Sequence, residues 1–145
     1  MSLCRLFALL LFGSLIVGSS AVAANGQPTY NFITAQALQA RLSANQPTNL
    51  VDIQVEDEFA RHHITGAVPT YAYPVKSAVE TARLDIVVET LKTNSDPVVI
   101  VCPRGAGGAT RTYDYLLARG IAAERLLILE KGQAGWACAP LTEGK

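Results

Sequence analysis

Short, continuous apolar runs alternate along the chain with segments whose apolar residues recur at helical spacing. The apolar runs have the length and composition of strands and cover residues 30–33, 49–53, 98–101 and 126–129. The segments with helical character cover residues 35–42, 56–61, 84–92 and 109–119. This alternation predicts an α/β domain with a mainly parallel central sheet and helices on both faces. The turn at residues 62–66 is expected to lead into another short strand, and residues 137–145 are expected to be loosely ordered.

One segment places a cysteine between a buried strand and a helix. The apolar run at residues 98–101 ends at Cys102, and a glycine-rich loop separates this residue from the next predicted helix. Glycines allow consecutive backbone N–H groups to turn toward one point, and a helix N-terminus adds unpaired N–H groups. The loop predicted to bind an anion, or to stabilise a thiolate, consists of Gly105, Ala106, Gly107 and Gly108. Cys102 is therefore a candidate nucleophile; the alternative is a buried cysteine that only ends a core strand.

The first residues have the pattern of a secretory signal peptide. Arg5 precedes a short apolar run at residues 6–17, and Ala21-Val22-Ala23 matches a cleavage site. The run is shorter than the roughly 20 residues that span a bilayer, which argues against a membrane anchor after cleavage. We therefore predict a signal peptide at residues 1–23, one domain at 24–145 with its core at about 31–136, and a periplasmic or secreted location.

Charge and cysteine content narrow the possible functions. Twelve Lys and Arg residues balance twelve Asp and Glu residues without a basic block, which argues against nucleic acid as a partner. Two cysteines, Cys102 and Cys138, remain after the predicted cleavage. A pair of cysteines in an exported protein suggests a disulfide, and a second thiol can also resolve an oxidised or sulfur-loaded first one. Cys138 is therefore a candidate resolving thiol.

Three other polar residues lie within or beside predicted strands. Asp52 lies inside the apolar run at residues 49–53, where a buried carboxylate needs hydrogen-bond partners. His62 and His63 are adjacent, and such neighbours usually point apart, which disfavours a shared metal site. We expect one of them to make a structural hydrogen bond to the backbone or to a carboxylate.

The glycine loop does not fit either of two nucleotide-binding motifs. A dinucleotide fingerprint would require glycine where Thr110 stands, and it would require more sheet after the loop. The phosphate-binding loop would require Gly-Lys-Ser/Thr, which does not follow Cys102. We therefore expect no cofactor.

Five motifs in order resemble those of the rhodanese family over roughly residues 31–136. Residues 50–53 resemble the strand that ends in Asp-Val-Arg, Glu58-Phe59 resembles a Glu-Tyr/Phe pair, and residues 63–67 resemble His-Ile-Pro-Gly-Ala. Residues 99–102 with the glycine loop resemble the active-site strand and loop, and residues 129–136 resemble the closing Gly-Gly-x-x-x-Trp segment. The resemblance implies a rhodanese-like fold, with Asp52 and His63 as structural support.

The same resemblance implies a sulfurtransferase. Cys102 would take a sulfane sulfur from a small sulfur-containing anion such as thiosulfate, and a thiol or cyanide would remove it. Arg104 is a candidate for binding the sulfonate end of the donor, and Arg111 in the first helical turn is a second candidate.

Several positions depart from the family pattern. Gln54 stands where the strand marker has Arg, Thr65 replaces Pro, and Lys131 replaces the first closing Gly. Pro103 follows the nucleophile and supplies no N–H group. The phosphatase branch of the family has an arginine after Cys and five further residues, and Gly108 occupies that position. A non-catalytic module that binds anions or a partner, and a redox protein that uses Cys102 and Cys138, remain as alternatives.

Overall fold

The computed structural model describes residues 29–145. The predicted signal peptide at residues 1–23 lies outside the described residues. Within residues 29–145, no helix combines the length and apolar character needed to cross a membrane.

A five-stranded parallel sheet forms the centre of the fold, as the alternation of strands and helices predicts. The strands among residues 29–145 are β1 (Phe32–Ile33), β2 (Asn49–Asp52), β3 (His63–Ile64), β4 (Val68–Pro69), β5 (Val98–Val101), β6 (Leu126–Leu129) and β7 (Thr142–Glu143). The order in the central sheet is β1-β6-β5-β2-β4, and every neighbouring pair in it is parallel. All four residues of β5 are buried, which fits a central strand that is covered on both faces.

In the described part of the chain, five α-helices surround the sheet and cover both of its faces. They are α1 (Ala35–Ser43), α2 (Glu56–Arg61), α3 (Ala78–Ala82), α4 (Asp85–Lys92) and α5 (Gly107–Ala118). Alternate residues of a strand point to opposite faces, so Ile100 and Val101 of β5 belong to different apolar clusters. The first, here the Cys102 cluster, joins Cys102 and Ile100 to α4 and α5. The second, here the Trp136 cluster, joins Val101 and Trp136 to Leu38 of α1.

The alignment of β2 with β5 brings two candidate residues to one edge of the sheet. Asp52, the last residue of β2, lies opposite Val101, the last residue of β5. Cys102 follows directly. The carboxyl ends of these two central strands therefore place Asp52 and Cys102 at the same edge, where ligands bind in parallel sheets.

The C-terminal tail is more ordered than the sequence suggests, so the expectation of a loose tail is wrong. β7 pairs antiparallel with β3, with His63 opposite Glu143. The Nε1–H of Trp136 donates a hydrogen bond to Thr142 Oγ1 at 3.0 Å. The short helix α3 was also not predicted; its N-terminus is closed by a capping box between Ser77 and Glu80.

Candidate active site

Cys102 lies directly after β5, and only 1% of its surface is exposed. The backbone N–H of Gly105 donates a hydrogen bond to Cys102 Sγ at 2.9 Å. The turn at Gly105 has a φ of 69°, a conformation that glycine adopts without a steric penalty. The glycine therefore folds the loop back onto the sulfur and directs a hydrogen-bond donor at it.

Further N–H groups of the loop lack acceptors. Helix α5 begins at Gly107, and its N-cap residue makes no side-chain capping hydrogen bond. Among residues 29–145, no acceptor pairs with the loop's remaining backbone donors, which belong to Arg104, Ala106, Gly107 and Gly108. Unpaired N–H groups at a helix N-terminus form a favourable environment for an anion. The predicted loop residues are thus together in one turn beside Cys102, and Pro103 is the one position that offers no donor.

The segment after β6 packs tightly against this loop. The N–H of Gln133 donates to the carbonyl of Cys102 at 2.8 Å, and the N–H of Ala134 donates to the carbonyl of Pro103 at 3.0 Å. A Cβ atom on Gly105 would lie 2.7 Å from Lys131 N and 2.8 Å from Gly132 N. The two segments therefore meet backbone to backbone, and glycine at the contact makes that approach possible.

An open cavity of about 380 Å³ lies beside the loop. Six of its nine lining residues are polar or charged; the lining comprises Gln54, Glu58, Arg61, His62, Pro103, Arg104, Gln133, Ala134 and Trp136. Arg104 is exposed and lines this cavity, so its guanidinium is available to an anion that enters. Arg61 contributes a second guanidinium to the same lining. The cavity therefore offers positive charge next to the cysteine loop.

Arg111, the second candidate for anion binding, donates hydrogen bonds to a different segment, although its Nη1 lies close to the loop, 2.9 Å from where a Cβ atom on Gly107 would stand. Its Nε donates to the carbonyls of Pro74 and Val75 at 3.1 and 3.0 Å, and its Nη2 donates to Pro74 at 2.7 Å. Arg111 does not line the cavity that Pro103 and Arg104 line. Its Nε and Nη2 fasten the segment before α3 to α5, and its Nη1 stays next to the first residue of α5.

Asp52 is fully buried and is held by its own strand end. Its Oδ1 accepts the backbone N–H of Gln54 at 2.8 Å, and its Oδ2 accepts Gln54 Nε2 at 3.0 Å. Burial raises the pKa of the Asp52 carboxyl from 3.8 to about 6, although both hydrogen bonds from Gln54 act in the opposite direction. Asp52 thus accepts two hydrogen bonds from Gln54 in the turn after β2.

The two histidines have separate tasks. His63 Nδ1 lies 2.7 Å from the carbonyl oxygen of Phe59, and the His63 ring stacks on the Phe59 ring at 3.9 Å. His62 instead lines the cavity, where its Nδ1 lies 2.7 Å from Gln133 Nε2. The structural hydrogen bond expected of one histidine is therefore made by His63, while His62 is part of the cavity wall.

Cys138 is not brought to Cys102. Both residues are buried free thiols. Cys138 belongs to the Trp136 cluster, whereas Cys102 belongs to the cluster on the other face of the sheet. A resolving role for Cys138 would therefore require a rearrangement of this packing.

Sequence reasoning missed most of the cavity lining. Glu58, Arg61, His62 and Gln133 were not assigned to the site, although all four line it. Glu58 and Arg61 are three residues apart on α2, and helical spacing could have shown that they share a face. Nothing in the local sequence indicates that Gln133 contacts His62 at the end of α2, because that contact joins residues 71 positions apart.

The fold and the site together define a class of protein. A cysteine follows a central parallel strand and accepts a hydrogen bond from its own loop. Other N–H groups of this loop have no acceptor among residues 29–145. This arrangement belongs to α/β proteins that carry an anion-binding loop with a central cysteine.

The chain belongs to the rhodanese family, because the model of the Rhodanese-like domain matches residues 34–139. The identified family agrees with the resemblance of the sequence motifs and with the observed parallel sheet. No curated protein matches the chain.

Solved structures of the same fold differ in the activity that their names state. The rhodanese-like domain protein from Staphylococcus aureus has 26% identity and a TM-score of 0.54, with 79% of this chain and 98% of that chain covered. A thiosulfate sulfurtransferase from Pseudomonas aeruginosa has 22% identity and a TM-score of 0.59, with 81% of this chain and 20% of that chain covered. A yeast protein tyrosine phosphatase of the Rhodanese family has 16% identity and a TM-score of 0.60, with 81% and 94% covered. The similarity to the last two proteins establishes only the fold, because the sequence identities are 22% and 16%. The reaction must therefore be argued from the site.

Proposed function

We propose that the chain is a sulfurtransferase that moves a sulfane sulfur from an anionic donor such as thiosulfate to an acceptor thiol or cyanide. The observation that carries the proposal is the loop around Cys102. Its Gly105 N–H already donates to Sγ at 2.9 Å, and neighbouring N–H groups have no acceptor within residues 29–145. Donors that are fixed before the reaction can stabilise negative charge on sulfur without first having to reorganise.

The first half-reaction loads sulfur onto the enzyme. The Cys102 thiolate attacks the outer sulfur of thiosulfate, and the new bond joins Sγ to that sulfur. The bond within thiosulfate breaks, and sulfite leaves with its electron pair. Arg104 binds the oxyanion end of the donor, because a guanidinium matches the geometry of such anions. The persulfide that remains is an anion, and the loop N–H groups stabilise its outer sulfur.

The second half-reaction returns the enzyme to its initial state. An acceptor thiolate, or cyanide, attacks the outer sulfur of the persulfide. The bond to Cys102 breaks with its electron pair returning to Sγ, and the acceptor leaves with the sulfur. Each half-reaction exchanges one bond to sulfur for another, so no external oxidant or reductant is required.

Phosphatase activity has less support from this site. The position of the phosphatase arginine is occupied by Gly108, and Arg111 donates its hydrogen bonds to backbone carbonyls outside the cavity. A redox cycle between Cys102 and Cys138 is also less supported, since the two thiols lie in different clusters.

Intact-protein mass spectrometry after reduction and thiosulfate treatment tests the proposal. We expect the protein to gain the mass of one sulfur atom and to lose it when cyanide is added. Cys102→Ser should gain nothing, whereas Cys138→Ser, the matched control, should gain the sulfur. A fully reduced wild-type protein that takes up no sulfur would contradict the assignment for this donor and favour a binding module.

We further propose that the protein is exported after cleavage behind Ala23. The support is the pattern of residues 1–23 described above. Expression of the full chain followed by N-terminal sequencing of the exported fraction tests this. An N-terminus at residue 24, within a residue or two, is expected; an intact N-terminus in the cytosol would contradict it.

A further inference from the structure

A carboxylate oxygen next to the cavity that adjoins the cysteine loop has no hydrogen-bond partner among residues 29–145. Glu58 lies in the first turn of α2 and lines the cavity, as do Pro103 and Arg104 of the loop. The Oε2 atom of Glu58 is itself buried, and no donor of the described residues reaches it. Burying a charged group without a partner is costly, so a cation that reaches the cavity side of the Glu58 carboxylate would offset part of that cost.

The two glutamine amides that line the cavity with Glu58 donate to other groups. The side-chain amide of Gln54 donates to Asp52 Oδ2 at 3.0 Å and to the carbonyl of His62 at 3.2 Å. Gln133 is only 4% exposed, and its Nε2 lies 2.7 Å from His62 Nδ1. Its Oε1 has no hydrogen-bond partner among residues 29–145. In the part of the chain that the structure describes, Glu58 also forms no salt bridge with either cavity arginine, Arg61 or Arg104.

The cavity therefore carries both signs of charge. Its arginines suit the anionic sulfur donor, but they give no reason for an unpaired carboxylate in the same lining. A ligand with positive charge and N–H donors would satisfy Glu58, and an ammonium group has both. The donor of the first half-reaction is an anion, so the cation must belong to the acceptor of the second.

We propose that Glu58 is a specificity-determining residue that binds the ammonium group of an aminothiol acceptor. The inference rests on the proposed sulfurtransferase function and names the acceptor class of the same site. The aminothiol enters as a thiolate while its ammonium contacts the cavity side of the Glu58 carboxylate. The thiolate attacks the outer sulfur of the Cys102 persulfide, the electron pair of the broken bond returns to Sγ, and the aminothiol leaves as a persulfide.

A comparison of acceptors tests the proposal. Protein loaded with sulfur is mixed with cysteamine, which carries an ammonium, or with mercaptoethanol, which is neutral and of similar length. Loss of the persulfide is followed by intact mass, and kcat/KM is expressed per thiolate. In Glu58→Gln, the preference for cysteamine should fall roughly tenfold, the size of one charge-assisted hydrogen bond. The intrinsic reactivity of each thiol is the same toward both proteins. It therefore cancels when the preference of Glu58→Gln is divided by that of the wild type.

Two further variants separate a specific contact from a general charge effect. Asp57→Asn removes an exposed charge from the same turn of α2 and should keep the wild-type preference. Gln54→Arg places an internal cation in the lining that Gln54 shares with Glu58, and it should abolish the preference without removing the carboxylate. An unchanged preference in Glu58→Gln, or an equal loss in Asp57→Asn, would overturn the proposal.

A binding measurement distinguishes failure of this inference from failure of the proposed function. S-methylcysteamine carries the ammonium but cannot accept sulfur; methylthioethanol is its neutral counterpart. The reduced protein should show chemical-shift changes in the Gln54 and Gln133 side-chain amides with the first compound only, and Glu58→Gln should show none. Binding without any persulfide formation would overturn the sulfurtransferase proposal alone. Persulfide formation without ammonium binding or preference would overturn the role of Glu58 alone.

Discussion

Gly132 is the position where one added methyl group should separate the cysteine loop from the segment that packs on it. Its φ of 55° and ψ of −152° lie in a region that side chains other than glycine strongly disfavour. A Cβ atom at Gly132 would collide with the carbonyl oxygen of Cys102. The same Cβ would lie 2.5 Å from Gly105 N and 2.8 Å from Arg104 N. All three contacts are backbone atoms of the active-site loop, so a change of rotamer cannot relieve them.

The cost of Gly132→Ala follows from these contacts. The backbone conformation alone costs about 1–3 kcal/mol for a residue with a Cβ. Separation of the segments also breaks the hydrogen bonds from Gln133 to Cys102 and from Ala134 to Pro103, at about 1 kcal/mol each. We therefore expect the free energy of unfolding to fall by about 4 kcal/mol, which urea denaturation at constant m-value measures.

Gly120→Ala is the matched control for backbone strain. Gly120 has a φ of 89°, yet no atom lies within 4 Å of its added Cβ. Its substitution should cost only about 1–2 kcal/mol, the penalty for a left-handed conformation. Uptake of sulfur from thiosulfate should slow in Gly132→Ala and remain unchanged in Gly120→Ala. Equal losses of stability, or full sulfur uptake by Gly132→Ala, would refute the view that this contact holds the loop in its reactive form.

Four other substitutions test separate parts of the structure. Burial raises the Asp52 pKa to about 6 from 3.8, so the native state binds more protons between these values and its stability falls as pH rises. Relative to Asp52→Asn, wild type should lose about 3 kcal/mol between pH 3 and pH 7, measured as the difference between urea curves; a pH-independent difference would contradict the assignment. Arg111→Gln should lower the free energy of unfolding by about 2 kcal/mol, because it loses the hydrogen bonds to Pro74 and Val75. Arg104 is exposed, so Arg104→Gln should change the free energy of unfolding by less than about 0.5 kcal/mol but raise the KM for thiosulfate. Cys138→Ser should retain sulfur transfer in a cyanide turnover assay, and loss of turnover in a variant that remains folded would favour a two-thiol mechanism.

The elements that sequence predicts correctly are those determined by local pattern. β5 is predicted at its observed bounds because residues 98–101 are uniformly apolar and β-branched. α1 is predicted to within a residue at its C-terminus, since Thr34 caps it by accepting the N–H of Ala37 at 3.1 Å. α5 begins at Gly107, two residues before the prediction, because glycine in the first turn carries little local helical signal.

The tail shows where local pattern is insufficient. Thr142 and Glu143 form a strand only because β3 offers an unpaired edge about 80 residues earlier in the chain. Two residues are too few to show the alternation of apolar and polar side chains that is typical of a strand. Their strand conformation depends on pairing with β3. The same limit applies to Arg111, whose hydrogen-bond acceptors lie 36 and 37 residues away.

The cysteine loop and the cavity wall differ in predictability for the same physical reason. Cys102 and its glycines are contiguous, so their chemistry can be predicted from one stretch of sequence. The wall combines α2 with the segment after β6, and its polarity depends on which donors remain free after folding. Gln54 illustrates the point: the sequence shows a departure from the family arginine, but only the structure shows that its amide serves Asp52 and His62 and leaves Glu58 unpaired.

The cavity is lined by both arginines and a carboxylate. This combination suits the proposed reaction, in which an anionic donor and then an acceptor react in turn at the sulfur of Cys102. In the proposed mechanism, Arg104 favours the anionic donor, and sulfite must leave before an acceptor can reach the persulfide. A cavity with only positive charge would retain sulfite and attract a second donor. A carboxylate in the same lining weakens the hold on anions and adds a favourable contact for a cationic acceptor. The carboxylate of Glu58 would then serve both half-reactions, as a repulsive group in the first and a binding group in the second.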